Sequence, residues 1–113
     1  MTLGIDMVDI ARLRAALGRS PRLEERLFTK AERRYCASKP DPVMHFAGTL
    51  AAKEAVIKAM RLGRLVEWAG RIEIGRDDSG APTAMVTLDA DGEPVEVEVS
   101  ISHERDLAVA VAQ

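Results

Sequence analysis

The chain has 113 residues, 47% of them hydrophobic and 30% charged, with a net charge of −2. That length and composition predict one domain with one core over residues 1–113, and exclude a wholly disordered chain. Aromatic residues are only 4% of the total, so aliphatic side chains and alanine must fill the interior. The balanced charge hides an asymmetry. Residues 1–64 carry 13 basic and 7 acidic groups (+6), whereas residues 65–113 carry 3 basic and 11 acidic (−8). A positive first half suits an acidic or phosphate-rich partner. The single cysteine, Cys36, cannot form an internal disulfide, and its neighbourhood holds nothing that would activate a thiol. No apolar run reaches the length of a membrane span and no leader pattern opens the chain, so a cytoplasmic protein with no membrane partner is expected.

In chain order, Leu3 to Val8 reads as a short apolar strand containing one carboxylate, Asp6. Asp9 can cap a helix with apolar Ile10, Leu13 and Leu17, ending at Gly18. Ser20-Pro21 starts a second short helix. Thr29 with Glu32 forms a capping-box pattern that starts a third. Asp41-Pro42 then opens the longest helix, from about Val43 to Leu62, closed by Gly63. After Gly70 the period changes. Strands are expected at Ile72–Ile74, Ala84–Leu88 and Leu107–Val111, and over the alternating run from Val95 to Ile101. Helices first and an antiparallel sheet later predict an α+β fold.

Three polar residues break the pattern. Glu54 lies four residues after Leu50 in the long helix, on or beside the inward stripe of Val43, Phe46, Leu50 and Ile57. An isolated buried carboxylate is too costly, so Glu54 must be paired, protonated or metal-bound. The plain alternative is a rim pair with Lys58 at the i, i+4 spacing. Asp6 interrupts a strand, where carboxylates are disfavoured. His103 falls on the apolar face at a strand end, if the period from Val95 continues. Two carboxylates without a thiolate or histidine cluster favour a hard cation such as Mg²⁺, held with substrate phosphates, and hence metal-assisted phosphoryl transfer.

Four segments carry a resemblance. Gly4-Ile5-Asp6-Met7-Val8-Asp9-Ile10-Ala11-Arg12 resembles the opening motif of the holo-acyl-carrier-protein synthases, small 4′-phosphopantetheinyl transferases. Phe28-Thr29 with Glu32 is similar to their second motif. Phe46-Ala47 with Ala51-Ala52-Lys53-Glu54-Ala55-Val56-Ile57-Lys58-Ala59 is similar to the third, and Val99 to His103 with Ala108-Val109-Ala110 to the last. The resemblance implies transfer of 4′-phosphopantetheine from coenzyme A to a serine of an apo-acyl carrier protein, with adenosine 3′,5′-bisphosphate released. It implies that Asp6 and Glu54 are Mg²⁺ ligands, that Lys58 stands beside the reacting phosphate, and that His103 lies near coenzyme A. For the serine proton, a carboxylate and a metal-bound hydroxide both remain open as acceptors. It further implies a homotrimer in fatty-acid or polyketide synthesis, with Arg12 and Arg22, and Arg14 and Arg19 beside them, facing an acidic carrier.

This chain departs from the family pattern in three places. Thr49 stands where relatives carry arginine, and only a turn joins Leu88 to Val95 where they carry a helix. The glycine-rich stretch after Lys58 is altered to Met60-Arg61-Leu62-Gly63-Arg64. Arg61 or Arg64 is therefore expected to hold a coenzyme A phosphate in place of the missing arginine. Two rival readings carry different expectations. A degenerate member would bind coenzyme A or the carrier without turnover, and the joint presence of Asp6, Glu54, Lys58 and His103 speaks against it. A nucleic-acid module would need aromatic stacking residues in the basic half, which are scarce there, so no nucleic-acid partner is expected.

Overall fold

The computed structural model describes residues 2–113. Strand β1 (Gly4–Asp9) leads into helices α1 (Ile10–Arg19), α2 (Pro21–Leu27), α3 (Lys30–Ala37) and α4 (Pro42–Met60). A one-turn helix α5 (Leu65–Trp68) and a 3₁₀ turn follow, and then strands β2 (Ile72–Arg76), β3 (Pro82–Val86), β4 (Val95–Val97), β5 (Val99–Glu104) and β6 (Leu107–Ala112). The strands form two antiparallel three-stranded sheets, ordered β1-β6-β5 and β2-β3-β4. The α+β architecture expected from the sequence is the one observed.

The local signals for the helix starts hold. Asp9 accepts from the Arg12 N–H at 3.0 Å, and Thr29 and Glu32 make both bonds of a capping box. The end of α4 differs from expectation. Arg61, not Gly63, takes the left-handed conformation (φ 54°), and Leu62 N–H then bonds back to Ile57 O at 3.0 Å. The run from Val95 to Ile101 also differs. It breaks at Glu98, so that β4 pairs with β3 while β5 pairs with β6. One alternating stretch therefore serves two sheets, because each half meets a different partner strand.

Helix α4 is the hub of the molecule. Its buried residues surround the helix rather than forming a stripe, among them Phe46, Ala47, Ala51, Ala52, Ala55, Val56 and Ala59. A helix buried on most sides needs small residues where strands cross it closely. At the crossing with β1 a Cβ on Gly4 would overlap the Ala55 carbonyl oxygen and come within 2.8 Å of Ala59 N. Glycine at position 4 therefore sets how near β1 lies to α4, and with it where Asp6 sits.

Candidate active site

Asp6 and Lys58 meet across that β1–α4 crossing. Lys58 Nζ donates to Asp6 Oδ1 at 3.0 Å and to the Ile5 carbonyl at 2.9 Å. Lys58 therefore does not make the i, i+4 pair with Glu54, which has no cation within 4 Å among the described residues. Glu54 is half-buried on the turn before Lys58. Burial raises its carboxyl above the ordinary range, the Asp6 charge raises it further, and Lys58 partly opposes both. Two carboxylates and one lysine thus converge from β1 and α4 on one face, beside an open hollow of about 320 Å³ lined by Ile5, Asp6, Met7 and Lys58. No group of three or more metal-ligating side chains occurs among the described residues.

His103 lies on the α4 side of β5, opposite buried Ala108, yet past the helix cover and exposed. Its ring stands edge-on to His45, 5.3 Å between centroids. The expected place on the apolar face is correct in direction, but the strand has run out of core by then.

Arg61 and Arg64 lie beyond the C-terminal end of α4, and Arg64 Nε is bonded to Glu67 at 2.9 Å. Thr49 is twelve residues earlier, roughly 18 Å along the helix axis. It is buried, donating to His45 O at 2.9 Å and lying 4.0 Å from Cys36 Sγ. Arg61 and Arg64 therefore lie past the Asp6–Lys58 contact in the chain, at the end of α4 away from Thr49. Cys36 is buried and its thiol is pushed up to about 11 by burial, in keeping with a thiol that nothing nearby activates.

On the first helices Arg12 and Arg22 are exposed, and Arg12 and Arg19 line an open hollow of about 340 Å³ beside Met7 and Leu50. Arg14 is held by Asp41 through two hydrogen bonds at 3.0 and 3.3 Å, which ties α1 to the start of α4.

One residue of this region escaped the spacing argument. Lys53 is three residues after Leu50 and four before Ile57, so it fits the inward stripe as well as Glu54 does. Its side chain is fully buried. Nζ contacts Glu32 Oε1 at 2.6 Å, Leu27 O at 2.8 Å and Ala69 O at 2.6 Å. Glu32 accepts in turn from Thr29 N at 2.8 Å and Ile74 N at 2.6 Å. Burial pushes Glu32 up and Lys53 down, while each partner's charge acts against those shifts. The three donors of an ammonium meet three acceptors here, so the pair is fully satisfied. It locks α2, α3, α4, β2 and the 3₁₀ turn together on the side opposite to Asp6.

A profile described as the 4′-phosphopantetheinyl transferase superfamily matches residues 2–112. The chain belongs to that superfamily. Among relatives, the holo-[acyl-carrier-protein] synthase of Chlorobaculum parvum is 42% identical, with 99% of this chain and 96% of the relative covered. That of Moorella thermoacetica is 39% identical, over 96% and 89%. The crystal structure of a Bacillus anthracis holo-(acyl-carrier-protein) synthase in complex with CoA (3′,5′-ADP) superposes with a TM-score of 0.81 at 31% identity, covering 98% of this chain and 92% of that one. A Helicobacter pylori holo-[acyl-carrier-protein] synthase in complex with coenzyme A gives 0.80 at 27% identity, over 98% and 97%.

Proposed function

We propose that this protein is a holo-acyl-carrier-protein synthase that transfers 4′-phosphopantetheine from coenzyme A to a serine of an apo-acyl carrier protein, releasing adenosine 3′,5′-bisphosphate. The observation that carries the reading is the convergence of Asp6 with Glu54 and Lys58 across β1 and α4. Relatives that cover nearly the whole chain bear the same activity in their names.

The residues present fit a divalent metal. Glu54 is half-buried without a cationic partner, and Asp6 raises its carboxyl still further, so the face is short of positive charge. Hard oxygen donors, two in number, suit Mg²⁺ completed by substrate oxygens and water, and Asp6 and Glu54 would hold it. The ion would supply positive charge to the diphosphate as the phosphoryl group transfers. Lys58 places an ammonium beside the same atoms, steadied by Asp6 and the Ile5 carbonyl, and offers a hydrogen bond to the departing phosphate oxygen. The serine Oγ–P bond forms while the P–O bond to adenosine 3′,5′-bisphosphate breaks, and the serine proton leaves to a base. Arg61 and Arg64 would meet coenzyme A from the C-terminal side of α4, and His103 from the other. Arg12 and Arg22 are placed to meet an acidic carrier, with Arg14 behind them.

A homotrimer is part of this reading. Its support is the outer face of the β1-β6-β5 sheet, where Ile5, Met7 and Leu107 are 55%, 64% and 43% exposed. Neighbouring apolar side chains left open in this way suit burial between copies. Sedimentation of the parent and of Leu107→Glu checks it, with trimer expected for the first and a smaller species for the second. No helix among the described residues is long and apolar enough to cross a membrane, and placement in the cytoplasm belongs to the same proposal. The activity itself is tested by mixing the protein with coenzyme A, Mg²⁺ and an apo-carrier. The carrier is expected to gain the mass of one phosphopantetheine, and an unchanged carrier across both fatty-acid and polyketide types would overturn the reading.

A further inference from the structure

Lys53 and Glu32 are the charged side chains sealed in the core among the described residues, and the chemistry above uses neither. Taking two opposite charges out of water costs about as much as their attraction returns, and a well-packed apolar pair of similar volume is often as stable. Net stability is therefore not what this pair supplies. What it has and an apolar pair lacks is direction. Apolar replacements of equal volume keep a core stable while its elements lose a unique position.

The contacts of Lys53 fix such a position. Its Nζ is held by Glu32 on α3, by the Leu27 carbonyl at the end of α2 and by the Ala69 carbonyl in the 3₁₀ turn. Glu32 is fixed in turn by the amides of Thr29 and Ile74. Three acceptors on three elements define a point in space, so Lys53 anchors the roll of α4 about its own axis. The opposite side of the helix has no comparable anchor. There Gly4 meets Ala55 and Ala59, a contact of glycine and alanines that limits approach more than rotation. Lys58 reaches Asp6 and the Ile5 carbonyl on a flexible, half-exposed stem that can follow a rolling helix.

Glu54 is the next residue after Lys53, about 100° further round the helix, and Lys58 lies about 40° beyond Glu54. Any roll of α4 is therefore passed on to both. A carboxylate stands roughly 6 Å from the helix axis, so a roll of about 10° carries it about 1 Å. A working constellation tolerates about 0.5 Å. We propose that Lys53, clamped by Glu32, is a positioning residue of the transferase site, fixing the roll of α4 so that Glu54 stays opposite Asp6 for the divalent metal they would share. The proposal rests on the transferase reading for what the two carboxylates hold, and on the Lys53 contacts for how they are held.

The test separates position from stability with two variants. Glu32→Gln removes a charge but keeps an acceptor for the lysine, so it costs stability and leaves the anchor. Lys53→Met with Glu32→Gln regains part of the stability and has no anchor. Mn²⁺, which takes the same hard oxygen donors, is titrated by electron paramagnetic resonance without coenzyme A into these variants, the parent and Glu54→Gln. Denaturant unfolding of the same samples gives the folded fraction. Per folded molecule, Glu32→Gln should bind Mn²⁺ as the parent does. The double variant should bind it about tenfold more weakly and turn over on the order of tenfold more slowly, with the carrier KM unchanged. A double variant that binds Mn²⁺ like the parent, with activity following only the folded fraction, overturns the proposal. If the parent and Glu54→Gln bind Mn²⁺ alike, the carboxylates do not hold the metal, and that part of the transferase reading falls together with the proposal. Loss of binding in Glu54→Gln with parent-like binding in the double variant removes the anchor alone.

Discussion

Two lysines five residues apart on α4 make ion pairs of similar length and opposite character. Lys53 reaches Glu32 at 2.6 Å with both side chains essentially sealed from solvent. Lys58 reaches Asp6 at 3.0 Å with its own side chain 53% exposed. The buried pair is satisfied on every donor and carries no group that a substrate can touch. Its partner on the other face keeps a water-accessible ammonium next to carboxylates that are short of cations. One helix thus seals its inner lysine within the fold and leaves its outer lysine open to solvent, where the proposed transferase reading gives it a chemical role.

The comparison breaks most severely at Lys53. Lys53→Met leaves Glu32 buried without its cation, and loss of one partner of such a pair costs about 3–5 kcal/mol. Denaturant unfolding should show that loss, and adding Glu32→Gln should return part of it, since two apolar-compatible neutral groups no longer oppose burial. Single and double variants of equal stability would mean that the pair is not coupled.

Next in size is the Asp6–Glu54 face, which the proposed reading gives to the metal. Asp6→Asn and Glu54→Gln each remove one ligand charge with shape preserved, so turnover should fall on the order of a hundredfold, with a rightward shift in the Mg²⁺ dependence. Curves that match the parent would take that residue out of the site. Glu54 also gives a pH signature. Its folded carboxyl titrates above the ordinary range, so the native protein keeps a proton that the unfolded chain has already released. Stability without metal should then decrease as pH rises from the ordinary carboxylate range through the raised value, and Glu54→Gln should flatten that decline. An identical pH dependence in the two proteins would show that Asp6 and burial do not act on Glu54.

Lys58 itself should matter little to folding. An exposed pair contributes about 0–1 kcal/mol, so Lys58→Ala should unfold nearly with the parent while losing turnover, the reverse of the Lys53 variant. Smallest is the carrier surface. Arg12→Glu or Arg22→Glu should raise the apparent KM for the carrier a few-fold at low salt and leave coenzyme A binding alone, because rim charges mainly steer encounter. Arg14→Glu should instead also cost some stability, since it breaks the contact with Asp41. An unchanged carrier KM for both Arg12 and Arg22 variants would remove α1 and α2 from the interface.

Local chemistry made much of this legible in the sequence. Caps are short-range, so Asp9, Thr29 with Glu32, and Pro42 marked helix starts without knowledge of the fold. The order of helices and strands pointed to the α+β class, and the resemblance carried by four motifs singled out Asp6, Glu54, Lys58 and His103. Periodicity was less able to distinguish Lys53 from Glu54, because α4 is buried on most sides and both positions fit the stripe. Only the packing of α2, α3 and β2 against one side of the helix decided which of the two is sealed. The split of Val95–Ile101 between two sheets, the choice of Asp6 over Glu54 as the partner of Lys58, and the meeting of His45 with His103 were likewise decided by tertiary structure. Each depends on groups brought together from separate elements of the chain, and no local pattern carries the distance between them.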